Sequence, residues 1–156
     1  MHELVAEVRD MLRMLAAEKQ QVIEITGEPA LTAHADRLLL RQAVTNVLHN
    51  AIRYAPAKSR ISIAIELTSD AVVIGFADEG PGIAPEHLGR IFDRFYRVDK
   101  ARSRADGGHG LGLAIARSSV ERQGERLDVE SVVGRGSIFR IYVPRYSVPE
   151  DSVRNP

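Results

Sequence analysis

Cysteine and tryptophan are absent from this chain of 156 residues, and without thiols a disulfide framework and thiolate metal sites are excluded. Net charge is missing as well. Lys plus Arg and Asp plus Glu number 21 each, so no global field draws nucleic acid or an anionic membrane, and any anion site must be local. The expected ligand is therefore small, with no nucleic acid as partner. There is no run of about 18 apolar residues and no signal-peptide core, so the chain as given predicts neither a membrane span nor export, and a cytoplasmic location is expected. A P-loop and a G-x-G-x-x-G dinucleotide fingerprint are also lacking, which disfavours two common nucleotide folds. What remains is enough for one core: 44% of the residues are hydrophobic, sufficient for one domain of ordinary size.

Apolar residues Leu4, Val5, Val8, Met11, Leu12 and Leu15 recur at helical spacing, predicting an amphipathic helix over Glu3 to Lys19. Val22 to Thr26 and Pro29 to Ala33 read as a small hairpin or two edge strands. Asp36 is placed to cap a long helix that should end before Pro56, because the residue preceding proline is pushed out of the helical region. Leu40, Val44, Val47, Leu48, Ala51 and Ala55 form its core face. Ile61 to Leu67 and Ala71 to Ala77 predict an antiparallel pair, and Leu127 to Val133 with Ile138 to Val143 a second pair around a glycine turn. Between them, Leu111 to Gln123 has helical spacing, preceded by a long loop from Gly80 with brief helices. The sum is an α/β fold: a two-layer sandwich of a mixed sheet of about five strands and three helices.

Three features point to chemistry. Asn46 and Asn50 sit mid-helix, where asparagine costs roughly half a kcal/mol against alanine. With Arg53 and Tyr54 they make a stripe able to offer amide oxygens, a guanidinium and a ring; alone, such a stripe also reads as a solvated face. Asp78 ends an apolar strand and precedes Gly80, Pro81 and Gly82, where a carboxylate can accept from an exocyclic amine and a flat ring can approach the main chain; alone, it also reads as an ordinary turn. Gly108, Gly110 and Gly112 open a helix whose free amides and dipole suit phosphate, or else form a hinge. Phe92, Phe95 and Tyr96 are concentrated in the basic loop although aromatics total only 5% of the chain, so they should dock it. The histidines have no convergent spacing with acidic partners, and no G-x-S-x-G elbow occurs.

In this order the motifs resemble the catalytic and ATP-binding domain of bacterial two-component sensor histidine kinases, within the GHKL superfamily that shares the Bergerat fold. LRQAVTNVLHNAIRYAP resembles the asparagine box, DEGPGI the first glycine box, FDRFYR the phenylalanine box and GHGLGLAIA the second glycine box. The flanks LVAEVRDMLRMLAAEK and GRGSIFRIYVP are similar to the family's opening segment and closing strands. The resemblance spans about Val5 to Pro144. It implies ATP and Mg²⁺ as cofactors, with Asn50 holding the metal, Asn46 and Arg53 acting with it on the phosphates, Tyr54 along the adenine and Asp78 accepting from adenine N6. It further places Gly80, Gly82, Ile83, Arg97, Gly108, His109, Gly110, Leu111 and Gly112 around the nucleotide.

The implied organisation is a leading helix over 1–20, a catalytic domain over 21–146 with an ATP lid at about 83–109, and a tail over 147–156. Gyrase-like relatives carry a glutamate near Asn46 that orients water; Asn46 offers no such base, so phosphate should go to a protein acceptor. The implied partners are a dimerisation and phosphoacceptor domain of the same kinase and a response regulator receiver domain. The whole protein is expected to be a membrane-anchored homodimer with this domain on the cytoplasmic side of the inner membrane. His2-Glu3-Leu4 mimics the start of the acceptor-histidine motif, but Val5, Ala6 and Glu7 depart from it. RVDKARSR resembles segments of heavy-metal sensors, which suggests a copper or other metal signal. An anti-sigma serine kinase and a silent ATP-sensing module are the alternatives.

Overall fold

A computed structural model describes residues 1–28, 31, 33–98 and 109–145. In chain order the elements are α1 (His2–Glu18), β1 (Val22–Gly27), α2 (Arg37–Tyr54), β2 (Arg60–Leu67), β3 (Ala71–Asp78), α3 (Pro85–Leu88), α4 (Gly112–Glu121), β4 (Arg126–Val132) and β5 (Gly136–Pro144). Among the described residues the strands form one five-stranded sheet in the order β1-β2-β3-β5-β4. β1 runs parallel to β2, as α2 between them requires of a crossover, and the remaining pairs are antiparallel. No helix among the described residues is long and apolar enough to cross a membrane.

Alternation decides which face of the sheet is covered. Ile61, Ile63 and Ile65 of β2, Ile74 and Phe76 of β3, and Phe139 and Ile141 of β5 are buried in one core with α1, α2 and α4. α2 begins where Asp36 accepts from the amides of Leu38 at 2.8 Å and Leu39 at 3.1 Å, filling orphan donors of the first turn. It ends at Tyr54 because Ala55 is extended ahead of Pro56.

The structure corrects three expectations. Of the strand expected over 29–33 only Leu31 and Ala33 are among the described residues, and neither is in a strand; β1 finds its partner across a helix instead. Met11 and Leu15 are 50% and 40% exposed, so the core stripe of α1 is narrower than its apolar spacing suggests, and Ala16 fills the turn below Leu12. α4 spans Gly112–Glu121 rather than reaching Gln123. The three long helices are as expected, and the four-residue α3 is one of the brief helices expected in the loop after Gly80.

One buried group runs against the rest of the core. Glu125, at the turn between α4 and β4, is 5% exposed, and both carboxyl oxygens lack a hydrogen-bond partner. Burial, with the charge of Asp36 adding to it, pushes this carboxyl up to about 7. The native chain therefore keeps a proton that the unfolded chain releases, and stability should fall as pH rises from about 4.5 through about 7, then level off. Glu125→Gln is expected to match the parent near pH 5 and to exceed it at pH 8 by on the order of 1–3 kcal/mol. Urea unfolding at the two pH values checks this; an equal difference at both would refute it.

Candidate nucleotide site

The 3.6-residue period of α2 brings Asn46, Asn50, Arg53 and Tyr54 along one side of the helix, next to the fully buried stripe of Val44, Val47, Leu48 and Ala51. Asn46 donates from its amide nitrogen to the Gln42 carbonyl at 2.9 Å. Its oxygen faces the start of α4, where a Cβ on Gly112 would stand 3.4 Å away. Asn50 makes no side-chain hydrogen bond to any described residue. Arg53 is half-buried, and its Nε and one Nη are fully enclosed without an acceptor. Its guanidinium lies 5.6 Å from the centroid of the Tyr54 ring. Burial, and then the nearby charge of Arg53, holds the His49 imidazole below its ordinary value.

Asp78 closes β3 at the far side of this stripe and is 8% exposed. Burial pushes its carboxyl up, while the backbone N–H groups of Gly80 and Ser137 pull it back; the first of these bonds is 2.8 Å. A Cβ on Gly80 would meet Asp78 Oδ1 at 2.6 Å and the Tyr54 carbonyl at 3.3 Å, so the glycine lets the loop seat against the end of α2. The loop is also fastened to the β4–β5 hairpin. Gly134 donates to the Pro81 carbonyl at 2.8 Å, and Ile83 donates to Ser131 Oγ at 2.8 Å. A Cβ on Gly82 would fall 2.2 Å from the Val132 carbonyl, so this contact admits only glycine.

The loop between β3 and α4 is pinched where it leaves and re-enters the body. Phe95 donates its amide to the Gly110 carbonyl at 2.8 Å, and a Cβ on Gly110 would lie 2.9 Å from the Tyr96 carbonyl. Phe92 sits edge-on to Phe139 with centroids 6.5 Å apart. Tyr96 is held by His87 Nδ1, 2.6 Å from its hydroxyl, and by Arg90, 4.3 Å from its ring centroid. Phe95 is 70% exposed, so two of the three aromatics dock the loop rather than all three. One Nη of Arg97 is enclosed without an acceptor. His109 is exposed, and Leu111 precedes α4 with no side-chain cap, leaving first-turn amides available to an acceptor. Gly108, with Lys100, Arg102 and Arg104, lies outside the described residues.

The structure thus sets Gly112 beside Asn46 at the start of the α2 stripe and Asp78 with Gly80 beside the Tyr54 carbonyl at its end, while Gly82 and Ile83 meet the β4–β5 hairpin and Gly110 meets Phe95 and Tyr96. Neither of two open cavities is lined by Asn50, Arg53, Tyr54 or Asp78, although the second borders Leu111. One, of about 410 Å³, borders β4 and Arg117; the other, of about 420 Å³, lies between Gln42, Phe95 and Ile115. Among the described residues no three His, Asp or Glu side chains converge to hold a metal. A cation here would need phosphate oxygens as well as the Asn50 carbonyl, which fits Mg²⁺, an ion that takes few protein ligands. Sequence reading missed Ser131, whose hydroxyl also donates to the Gly136 carbonyl at 2.9 Å. Its signal was available: strand alternation places Ser131 on the side of Leu127 and Val129, where a polar residue needs a reason.

A helix stripe of amides and a guanidinium, opposed by a strand-end carboxylate and a glycine-opened helix, defines a nucleotide-binding α/β domain. The chain belongs to the family of histidine kinase-, DNA gyrase B- and HSP90-like ATPases, whose model matches residues 35–147. Within it, the chain is similar to sensor histidine kinases. It is 34% identical over 153 residues to the phosphate regulon sensor protein PhoR of Pseudomonas aeruginosa, covering 98% of this chain and 34% of that protein. It is 44% identical over 110 residues to the sensor histidine kinase RppB of Synechocystis, covering 70% of this chain and 24% of the relative. The mycobacterial sensor histidine kinase MprB has the same fold, with a TM-score of 0.80 and 27% identity over 94% of this chain and 96% of that one. Full-length ShkA in complex with AMPPNP superposes with a TM-score of 0.78 and 27% identity, over 93% of this chain and 30% of that one. The chain spans about a third or less of the curated relatives it matches.

Proposed function

We propose that the cleft binds Mg²⁺-ATP and presents the γ-phosphate to a histidine on a separate dimerisation domain. The observation that carries this is Arg53, whose enclosed Nε and Nη lack an acceptor one turn from Asn50. Orphaned guanidinium donors are costly in a folded chain and suit a phosphate oxygen. In this reading Asp78 accepts from adenine N6, Tyr54 lies along the base, Gly80, Gly82 and Ile83 shape the purine end, and Arg97, His109, Gly110, Leu111 and Gly112 face the phosphates. Asn50 would hold Mg²⁺, which would supply neutralisation of the phosphate charge. The side chains then work by positioning alone. Asn46 is an amide that already donates to Gln42 and cannot deprotonate water, which favours transfer to a protein acceptor over hydrolysis.

The remaining assignments go with this reading. Residues 1–20 would lead from the acceptor domain, 21–146 form the catalytic unit with its lid at 83–109, and 147–156 be a tail. A receiver domain would take the phosphate onward, and the whole protein would be a homodimer anchored in the inner membrane with this domain in the cytoplasm. A copper signal has no support: two matched relatives are named for phosphate regulation and simply as a sensor histidine kinase, and most of RVDKARSR lies outside the described residues. Mixing the chain with a separate acceptor-histidine domain and γ-labelled ATP should yield phosphohistidine, stable to base and labile to acid. Phosphoserine, or no transfer despite nucleotide binding, would overturn the kinase reading in favour of a serine kinase or a silent sensor.

A further inference from the structure

We propose that Lys19 is a positioning residue for the nucleotide site, holding the last turn of α2 so that Arg53 and Tyr54 stay aligned with the Asp78 loop. The inference rests on the functional reading above. A helix leaves its final carbonyls without intrahelical donors, and α2 has no glycine to turn back and satisfy them, because Ala55 runs extended into Pro56. Lys19, just past the end of α1, supplies the donors from outside. Its Nζ donates to the carbonyls of Ile52 at 2.8 Å, Arg53 at 2.9 Å and Ala55 at 2.6 Å. An ammonium has three donors and carries the charge that the negative end of a helix dipole favours. Gln21 adds bonds from Nε2 to Ile52 at 3.0 Å, Ala55 at 2.9 Å and Pro56 at 3.1 Å.

The turn so held is the one that bears the ligand-facing side chains. On its other flank the Tyr54 carbonyl stands 3.3 Å from where a Gly80 Cβ would be, so the turn is gripped between Lys19 and the loop that carries Asp78. Lys19 is itself fixed: its carbonyl accepts from Lys58 at 2.9 Å, and Val22 bonds to Ser59 at 3.1 Å. Releasing Nζ would let the Arg53 carbonyl, and with it the start of the guanidinium arm, shift relative to Asp78. Because α1 carries the lysine, a displacement of that helix would reach the phosphate end of the cleft through these bonds.

Lys19→Met keeps the aliphatic stem and removes the donors and the charge. In chain shown by circular dichroism to be folded, it is expected to weaken Mg²⁺-ATP binding about tenfold by calorimetry. Combined with Arg53→Ala it should weaken binding by less than twofold beyond Arg53→Ala alone, because both changes act on one arm. A lysine that only capped the helix would lower the unfolding midpoint and leave affinity untouched; affinity within twofold of the parent, or fully additive losses, overturns the proposal. Should Lys19→Met not fold, Lys19→Gln, which retains two donors, is expected to weaken binding about threefold, and parental affinity in that variant overturns it equally. A parent chain that binds no Mg²⁺-ATP overturns the functional reading itself, which the other outcomes leave standing.

Discussion

Asp78→Asn should weaken Mg²⁺-ATP binding by about 100-fold while leaving the affinity for inorganic tripolyphosphate unchanged. The substitution preserves shape and the oxygen that accepts from Gly80 at 2.8 Å, so the glycine loop should keep its course. What disappears is a buried charged acceptor for an exocyclic amine, and hydrogen bonds to charged groups contribute roughly 1.5–3 kcal/mol. An amide turned the wrong way adds an N–H facing the amine. Tripolyphosphate would separate the two ends of the proposed site, because in that reading it engages Arg53 and Asn50 without touching Asp78. Calorimetry with both ligands makes the comparison: equal losses would mean a distorted fold, and no loss for ATP would remove Asp78 from the base pocket. Burial raises this carboxyl, so in the parent the ionised form is lost on acidification earlier than for an exposed aspartate. ATP affinity should fall as pH drops through that raised value, and the Asn variant should lack this component.

Gly136→Ala is expected to unfold the chain or displace the β4–β5 hairpin. The residue has φ of +107°, and a Cβ there would stand 1.9 Å from the Asp78 carbonyl oxygen and 2.9 Å from its carbon. Both obstacles are backbone atoms inside a ladder, since Asp78 pairs with Ser137, and neither can swing aside as a side chain tip would. The cost should reach several kcal/mol, comparable with the roughly 5–15 kcal/mol that holds a domain of this kind together. Gly134→Ala is the control. That glycine also has positive φ, +80°, but nothing lies within 4 Å of its Cβ, so only the left-handed conformation is penalised, by about 1–2 kcal/mol. Thermal unfolding should show a modest shift for Gly134→Ala and no native transition for Gly136→Ala. Similar shifts for the two would refute the steric account.

The contrast between these glycines marks what could be read from the chain before its structure. Local signals were legible: Asp36 ahead of a periodic run, Pro56 stopping it, and the alternation of Ile61, Ile63 and Ile65 each act within a few residues. The stripe of Asn46, Asn50, Arg53 and Tyr54 was legible for the same reason, because helical period alone decides it. Contacts between distant segments were not. Nothing near Val22 says that its strand pairs with residues almost forty positions on rather than with its neighbour, and nothing near Met11 or Leu15 says that the covering layer stops short of them. Lys19 and Gln21 look like solvated residues ending a helix; only the tertiary approach of α2 turns them into its cap. The glycines of the second box were recognisable as a set, yet that Gly110 meets Phe95 while Gly112 meets Asn46 depends on how the intervening loop returns.

That return has a consequence for variation. Phe95 and Gly110 are joined at the neck, so the two ends of the segment between them are held together. Lengthening a loop already shut at its base costs only about 0.6 kcal/mol per doubling. Insertions or deletions between these two residues should thus leave the five strands undisturbed.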